Sequence, residues 1–177
     1  MEIKLRKALD FELDKILEIY TEAFPKEERK PFDIICEHNR IGKAELCAIV
    51  IDGKVAGMVH TYLFENFAMV DYFAIHKDKR NLGIGSRVID LIRERYKDYK
   101  IYLEIEDPNI GEMQARRLEF YKRCGLKQVG TYVNLFGVDM ELLAFDNFAV
   151  SFPEYFALYI FMGGYEFAKR NVKERKV

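Results

Sequence analysis

The sequence predicts a mixed α/β fold: a twisted, mostly antiparallel sheet of about seven strands flanked by helices, with a C-terminal helical extension. Three observations predict it. The chain has 177 residues, enough for one well-packed core and few for two. Half of them are hydrophobic and 32% are charged, the balance of an ordinary globular protein. Along the chain, the spacing of apolar residues switches from alternation to helical periodicity and back. The main domain is expected over 1–147, and the extension, packed on it, over 148–177.

The elements follow in order. Ile3 and Leu5 alternate with charged neighbours, a short strand over 2–7. Asp10 is placed to cap a helix that carries Leu13, Ile16, Leu17 and Tyr20 on one face, ended by Phe24-Pro25. Lys26 to Lys30 read as a charged, solvated connection, and a second short helix follows Pro31. Leu46–Ile51, Val55–Phe64 and Met69–Ile75 form a three-strand antiparallel run, with Asp52-Gly53 as a hairpin turn. After Gly85 the period is helical, with Val88, Ile89, Leu91 and Ile92 as the buried stripe. Ile101–Ile105 is a strand, and a charge-rich helix runs to Arg123 and stops at Gly125. Two strands, 126–133 and 138–145, precede a tail with Phe152-Pro153-Glu154 at a helix start and a strongly apolar run ending at Gly163-Gly164.

Composition excludes several functions. A net charge of -1 argues against a duplex nucleic-acid binder, which needs a concentrated basic face. Cys36, Cys47 and Cys124 are odd in number and form no Cys-x-x-Cys pair, and the three histidines lack His-x-x-x-His spacing. No disulfide framework and no metal site are therefore expected. No apolar run reaches membrane-spanning length, and residues 1–6 alternate where a signal peptide would be apolar. A reduced, cytoplasmic protein is expected.

The chemistry concentrates in one segment, Tyr72 to Ser86. An apolar strand end leads through a charged turn to two glycines at a helix start. The first N–H groups of a helix have no internal partner, and its dipole favours negative charge there. Gly83 and Gly85 let backbone approach an oxygen cluster, Ser86 adds a hydroxyl and Arg80 adds a cation. A Rossmann fingerprint would need glycine where Val88 stands, and no Gly-Lys-Ser/Thr ending makes a Walker loop.

What remains, Arg80-x-x-Gly83-x-Gly85, resembles the pyrophosphate loop of the GNAT superfamily of N-acetyltransferases. The preceding Phe73-Ala74-Ile75 resembles that family's strand end. Phe120-Tyr121 followed by Gly125-Leu126 resembles its Phe-Tyr-x-x-x-Gly-Phe element, with Leu for the last Phe. Gln114 stands where many members carry Asn. The resemblance spans roughly residues 2–145.

The resemblance implies an acyl-CoA N-acyltransferase fold and an acetyl-CoA-dependent transfer to the primary amine of a small molecule, less readily of a peptide or protein. It implies that Phe73, Ala74, Ile75, Arg80, Asn81, Leu82, Gly83, Ile84, Gly85, Ser86, Phe120 and Tyr121 contact the cofactor. It also implies that the strand holding Phe73 splays from the strand near Leu103 to admit pantetheine, and that a backbone N–H near Phe73 or Ala74 faces the developing oxyanion. Tyr121 is then the general acid, since a phenol titrating near 10 stays protonated at neutral pH. Asp71 and Glu104 are the candidate bases, with His60 as a further alternative. Each carboxylate is also readable as an outward, solvated group. The apolar tail is open to three roles: capping the sheet, lining the acceptor pocket, or forming a homodimer interface. Two other functions remain beside the enzyme. One is an inert acyl-CoA sensor or scaffold, and the other is an unrelated nucleotide binder.

Overall fold

A computed structural model of the chain describes residues 1–146 and 148–176. The chain divides into two compact units, Met1–Tyr99 and Lys100–Val177. Residue 147, where the main domain is expected to end, lies outside the described residues, as does residue 177.

The first unit contains β1 (Ile3–Lys7), α1 (Leu13–Ala23), α2 (Phe32–Arg40), β2 (Ala44–Ile51), β3 (Lys54–Phe64), β4 (Phe67–Ile75) and α3 (Ile84–Arg95). The strands pair antiparallel in chain order. Asp52 and Gly53 both take positive φ, 47° and 80°, the twist a two-residue hairpin requires. Asp10, expected as a helix cap, instead opens a 3₁₀ turn, Asp10–Glu12, and α1 starts at Leu13. The capping work falls to Glu12. Its carboxylate accepts from the Leu9 N–H at 2.9 Å and from the Arg6 guanidinium at 2.6 and 2.8 Å.

Alternation sorts the faces of this sheet. Leu46, Ala48, Met58, Tyr72 and Ala74 turn toward α1 and α2, where they pack on Ile16, Ile19, Tyr20 and Ile35. Glu45 turns the other way and takes hydrogen bonds from Arg95 (2.6 Å) and Tyr96 (2.8 Å) at the end of α3. One glycine is obligatory. A Cβ on Gly57 would meet the Ala74 carbonyl at 2.5 Å and the Ile49 side chain at 2.7 Å, so β4 runs against β3 with no room for a side chain there.

The second unit contains β5 (Lys100–Glu106), α4 (Glu112–Arg123), β6 (Lys127–Leu135), β7 (Val138–Ala144), α5 (Phe152–Gly163), α6 (Tyr165–Asn171) and β8 (Val172–Glu174). β7 pairs antiparallel with β5 and β6, and β8 with β6. Gly125, at φ 91°, ends α4 as expected: its N–H reaches the Lys122 carbonyl and that of Leu126 the Tyr121 carbonyl. Ser151 and Glu154 cap α5 reciprocally. About seven strands are expected, and the described residues form eight. The additional one is three residues long, too short to show an alternation.

Candidate functional site

β4 leads through a 3₁₀ turn, Lys77–Lys79, into the loop before α3. Asn81 and Gly83 both adopt left-handed backbone, φ 61° and 72°, conformations that Asn tolerates and glycine takes freely. A Cβ at Gly83 would meet nothing within 4 Å, so the space before the first turn of α3 is open. That turn has no side-chain cap and no acidic residue, whereas α5 has both. The Arg80 Nε donates to the Ile75 carbonyl at 2.9 Å, which folds the turn back on the end of β4 and leaves the cation at the surface. Ile84 is buried and anchors the helix, while Asn81, Leu82, Gly83 and Ser86 are exposed. An exposed, uncapped helix N-terminus beside a free-facing arginine is a place for an anion.

Nine residues before Arg80, β4 is irregular. Its ladder with β3 pairs Tyr72 with His60 and Val70 with Thr61, so Asp71 is the extra residue of a bulge. The bulge re-aims its side chain, which is 4% exposed. Oδ1 accepts from Lys30 Nζ at 2.6 Å and Oδ2 lies 3.0 Å from His60 Nδ1. Burial works to raise the Asp71 carboxyl, and the Lys30 charge with the His60 hydrogen bond outweighs it, holding the group below the ordinary carboxylate range. Burial pushes the His60 imidazole down despite the carboxylate, so the ring is neutral at pH 7. With Nδ1–H donating to Asp71, its Nε2 is an acceptor; it is buried and has no partner among the described residues.

The connection before α2 is tied down at the same place. The Tyr72 hydroxyl donates to the Glu28 carbonyl (2.9 Å) and accepts from the Lys30 N–H (3.0 Å). The Tyr20 hydroxyl donates to the Lys30 carbonyl at 3.1 Å. A stretch expected as a solvated loop thus buries most of its last lysine. Phe73 and Ala74 follow in the ladder, opposite Val59 and Met58.

In the second unit, Phe120 and Tyr121 sit on the last turns of α4 with rings 5.1 Å apart. Burial and the neighbouring Cys124, against the lowering effect of Arg117, push the Tyr121 phenol up to about 12. Gln114 donates to Glu106 at 3.1 Å. Glu104 is half-buried, and its carboxylate accepts from the hydroxyls of Tyr155 and, at 2.9 Å, Tyr159, both wholly buried residues of α5. Lys30, Tyr155 and Tyr159 escape sequence reasoning because each acts through a residue 41 to 55 positions away. Among the described residues no group of His, Cys, Asp and Glu is arranged to hold a metal ion, and no helix is long and apolar enough to cross a membrane.

A model of the acetyltransferase (GNAT) family matches residues 13–126. No curated protein matches the chain. Among solved structures, a protein assigned to the GNAT acetyltransferases from Bacteroides thetaiotaomicron superposes with a TM-score of 0.74 at 27% identity. The match covers 82% of this chain and 88% of that one. A GNAT family acetyltransferase from Elizabethkingia anophelis, with acetyl-CoA bound, gives 0.59 at 16% identity over 81% and 97% of the two chains. A spermidine N-acetyltransferase chimera from Vibrio cholerae gives 0.65 at 16% identity over 80% and 94%. The latter two likenesses concern the fold.

Proposed function

This chain belongs to the acetyltransferase (GNAT) family, and from that premise we propose that it transfers the acetyl group of acetyl-CoA to the primary amine of a small molecule. The observation that carries the reading is the loop before α3, with left-handed Asn81 and Gly83, open space in front, and neither cap nor acid on the helix N-terminus. These features fit a pyrophosphate. The acetyl-CoA bound to the Elizabethkingia anophelis protein and the spermidine specificity named for the Vibrio cholerae chimera support the two substrates by analogy.

Acetyl-CoA supplies an activated thioester and a thiol leaving group. Arg80, the loop backbone 81–83, Ile84, Gly85 and Ser86 hold the pyrophosphate, and Phe73 to Ile75 with Phe120 line the rest of the cofactor. A backbone N–H at Phe73 or Ala74 stabilises the oxyanion. Tyr121 stays protonated and gives its proton to the departing sulfur. The balance closes: an ammonium that becomes an amide sheds two protons, one reaching the thiol through Tyr121 and the other reaching solvent. Asp71 acts on the amine as the next subsection describes, and Glu104 anchors α5.

Calorimetric titration tests the reading. Saturable binding of acetyl-CoA, absent with ATP, is expected. Gly83→Glu should abolish it, because a carboxylate then faces the anion site; its left-handed backbone adds roughly 1–2 kcal/mol of strain, so folding is checked by circular dichroism. A folded Gly83→Glu variant that still binds acetyl-CoA would sink the assignment. Binding with no turnover of any amine would leave a sensor or scaffold.

A further inference from the structure

Asp71 already carries an ammonium. Besides its 2.6 Å contact with Oδ1, Lys30 Nζ lies 5.2 Å from the centroid of the Tyr72 ring and 5.4 Å from that of Tyr62. A buried carboxylate with two aromatic faces around one cation is the chemistry that recognises any primary ammonium. Three further observations separate this cluster from a plain structural ion pair. The carboxylate is re-aimed by a bulge, a feature concentrated near functional sites. The lysine belongs to a connection between helices and keeps 18% of its side chain exposed, against 4% for Asp71. The imidazole fixed by the same carboxylate presents a buried acceptor, Nε2, with no donor on it among the described residues.

We propose that Asp71, Tyr62, Tyr72 and His60 form a recognition site for a primary alkylammonium, and that Lys30 is its tethered stand-in, displaced when the ligand binds. The proposal takes its ligand class from the acetyl-transfer reading; its chemistry does not involve acetyl-CoA. A buried carboxylate left without a cation is costly, so a site that waits for a cationic ligand is more stable with a placeholder. A lysine on a short connection provides one at an effective concentration of millimolar or above. An amine in solution must compete with it, and its apparent affinity falls by the fraction of time that Lys30 is away.

The test uses the full-length protein without acetyl-CoA. Wild type, Lys30→Ala and Lys30→Ala/Asp71→Asn are titrated with n-butylammonium chloride, with tetramethylammonium as a cation that has no N–H. Lys30→Ala is expected to bind butylammonium at least about tenfold more tightly than wild type, with a saturable rise in Tm. The double variant and tetramethylammonium should show neither. Lys30→Ser, which also vacates the site, replaces the alanine variant if that one fails to fold. A folded Lys30 variant with no gain over wild type overturns the proposal and leaves an ion pair that merely fastens the connection. Acetyl-CoA binding fails or succeeds independently, so the two readings are separately testable.

Discussion

A phenol pushed up to about 12 is protonated throughout the physiological range, which suits Tyr121 to giving a proton rather than taking one. Tyr121→Phe should lower kcat on the order of a hundredfold or more while leaving the Kd for acetyl-CoA unchanged, as steady-state kinetics and calorimetry would read. Glu45 makes a pH prediction. Burial favours its protonated form, but the hydrogen bonds from Arg95 and Tyr96 prevail and bring it from 4.5 to about 2. A pKa depressed by folding contributes stability that is complete above pH 4.5 and is lost as pH falls toward 2. The contribution is about 3 kcal/mol by the size of the shift. Urea midpoints of wild type and Glu45→Gln should therefore differ at pH 7 and converge near pH 2. At this scale the sequence was partly legible. Tyr121 and the glycine loop stand in motifs with fixed spacing, whereas the partners of Asp71 and Glu104 are brought to them by tertiary packing.

Most secondary-structure elements were legible from their pattern: alternation in β1, short apolar runs in β2 to β4, a helical stripe in α1 and α3, and stop signals at Gly125 and Gly164. The bulge in β4 was not. Val70, Asp71 and Tyr72 alternate as a regular strand would, and the extra residue becomes visible only against the register of β3. The docking of α5 was equally hidden, since a helix apolar on most sides does not announce which residue it meets. That contact is testable on its own. Tyr155→Phe removes one of the two tyrosine donors from the Glu104 carboxylate and should destabilise the protein by about 1–3 kcal/mol in urea unfolding. Tyr155→Phe with Tyr159→Phe should cost more than the sum of the singles, because the carboxylate then loses both.

For the molecule as a whole, the family was legible and the acceptor was not, because the proposed ammonium site is built from side chains whose partners lie far off in sequence. The tail beyond residue 150 is part of the second unit's fold. β8 lies along β6, and Arg175 pairs with Asp107 at 2.7 Å and Asp139 at 3.3 Å. Removing residues 151–177 should yield an aggregating protein by light scattering, since β6 would be left as a bare edge and Glu104 without its tyrosines. The β4 bulge has a different consequence, for insertions and deletions. Losing one residue from a strand normally turns every later side chain to the opposite face. At Asp71 the ladder already holds one residue too many, so its excision lets Val70 and Tyr72 keep their partners. In a scan of single-codon deletions across residues 67–75, this position should be the one where a folded but amine-blind protein survives.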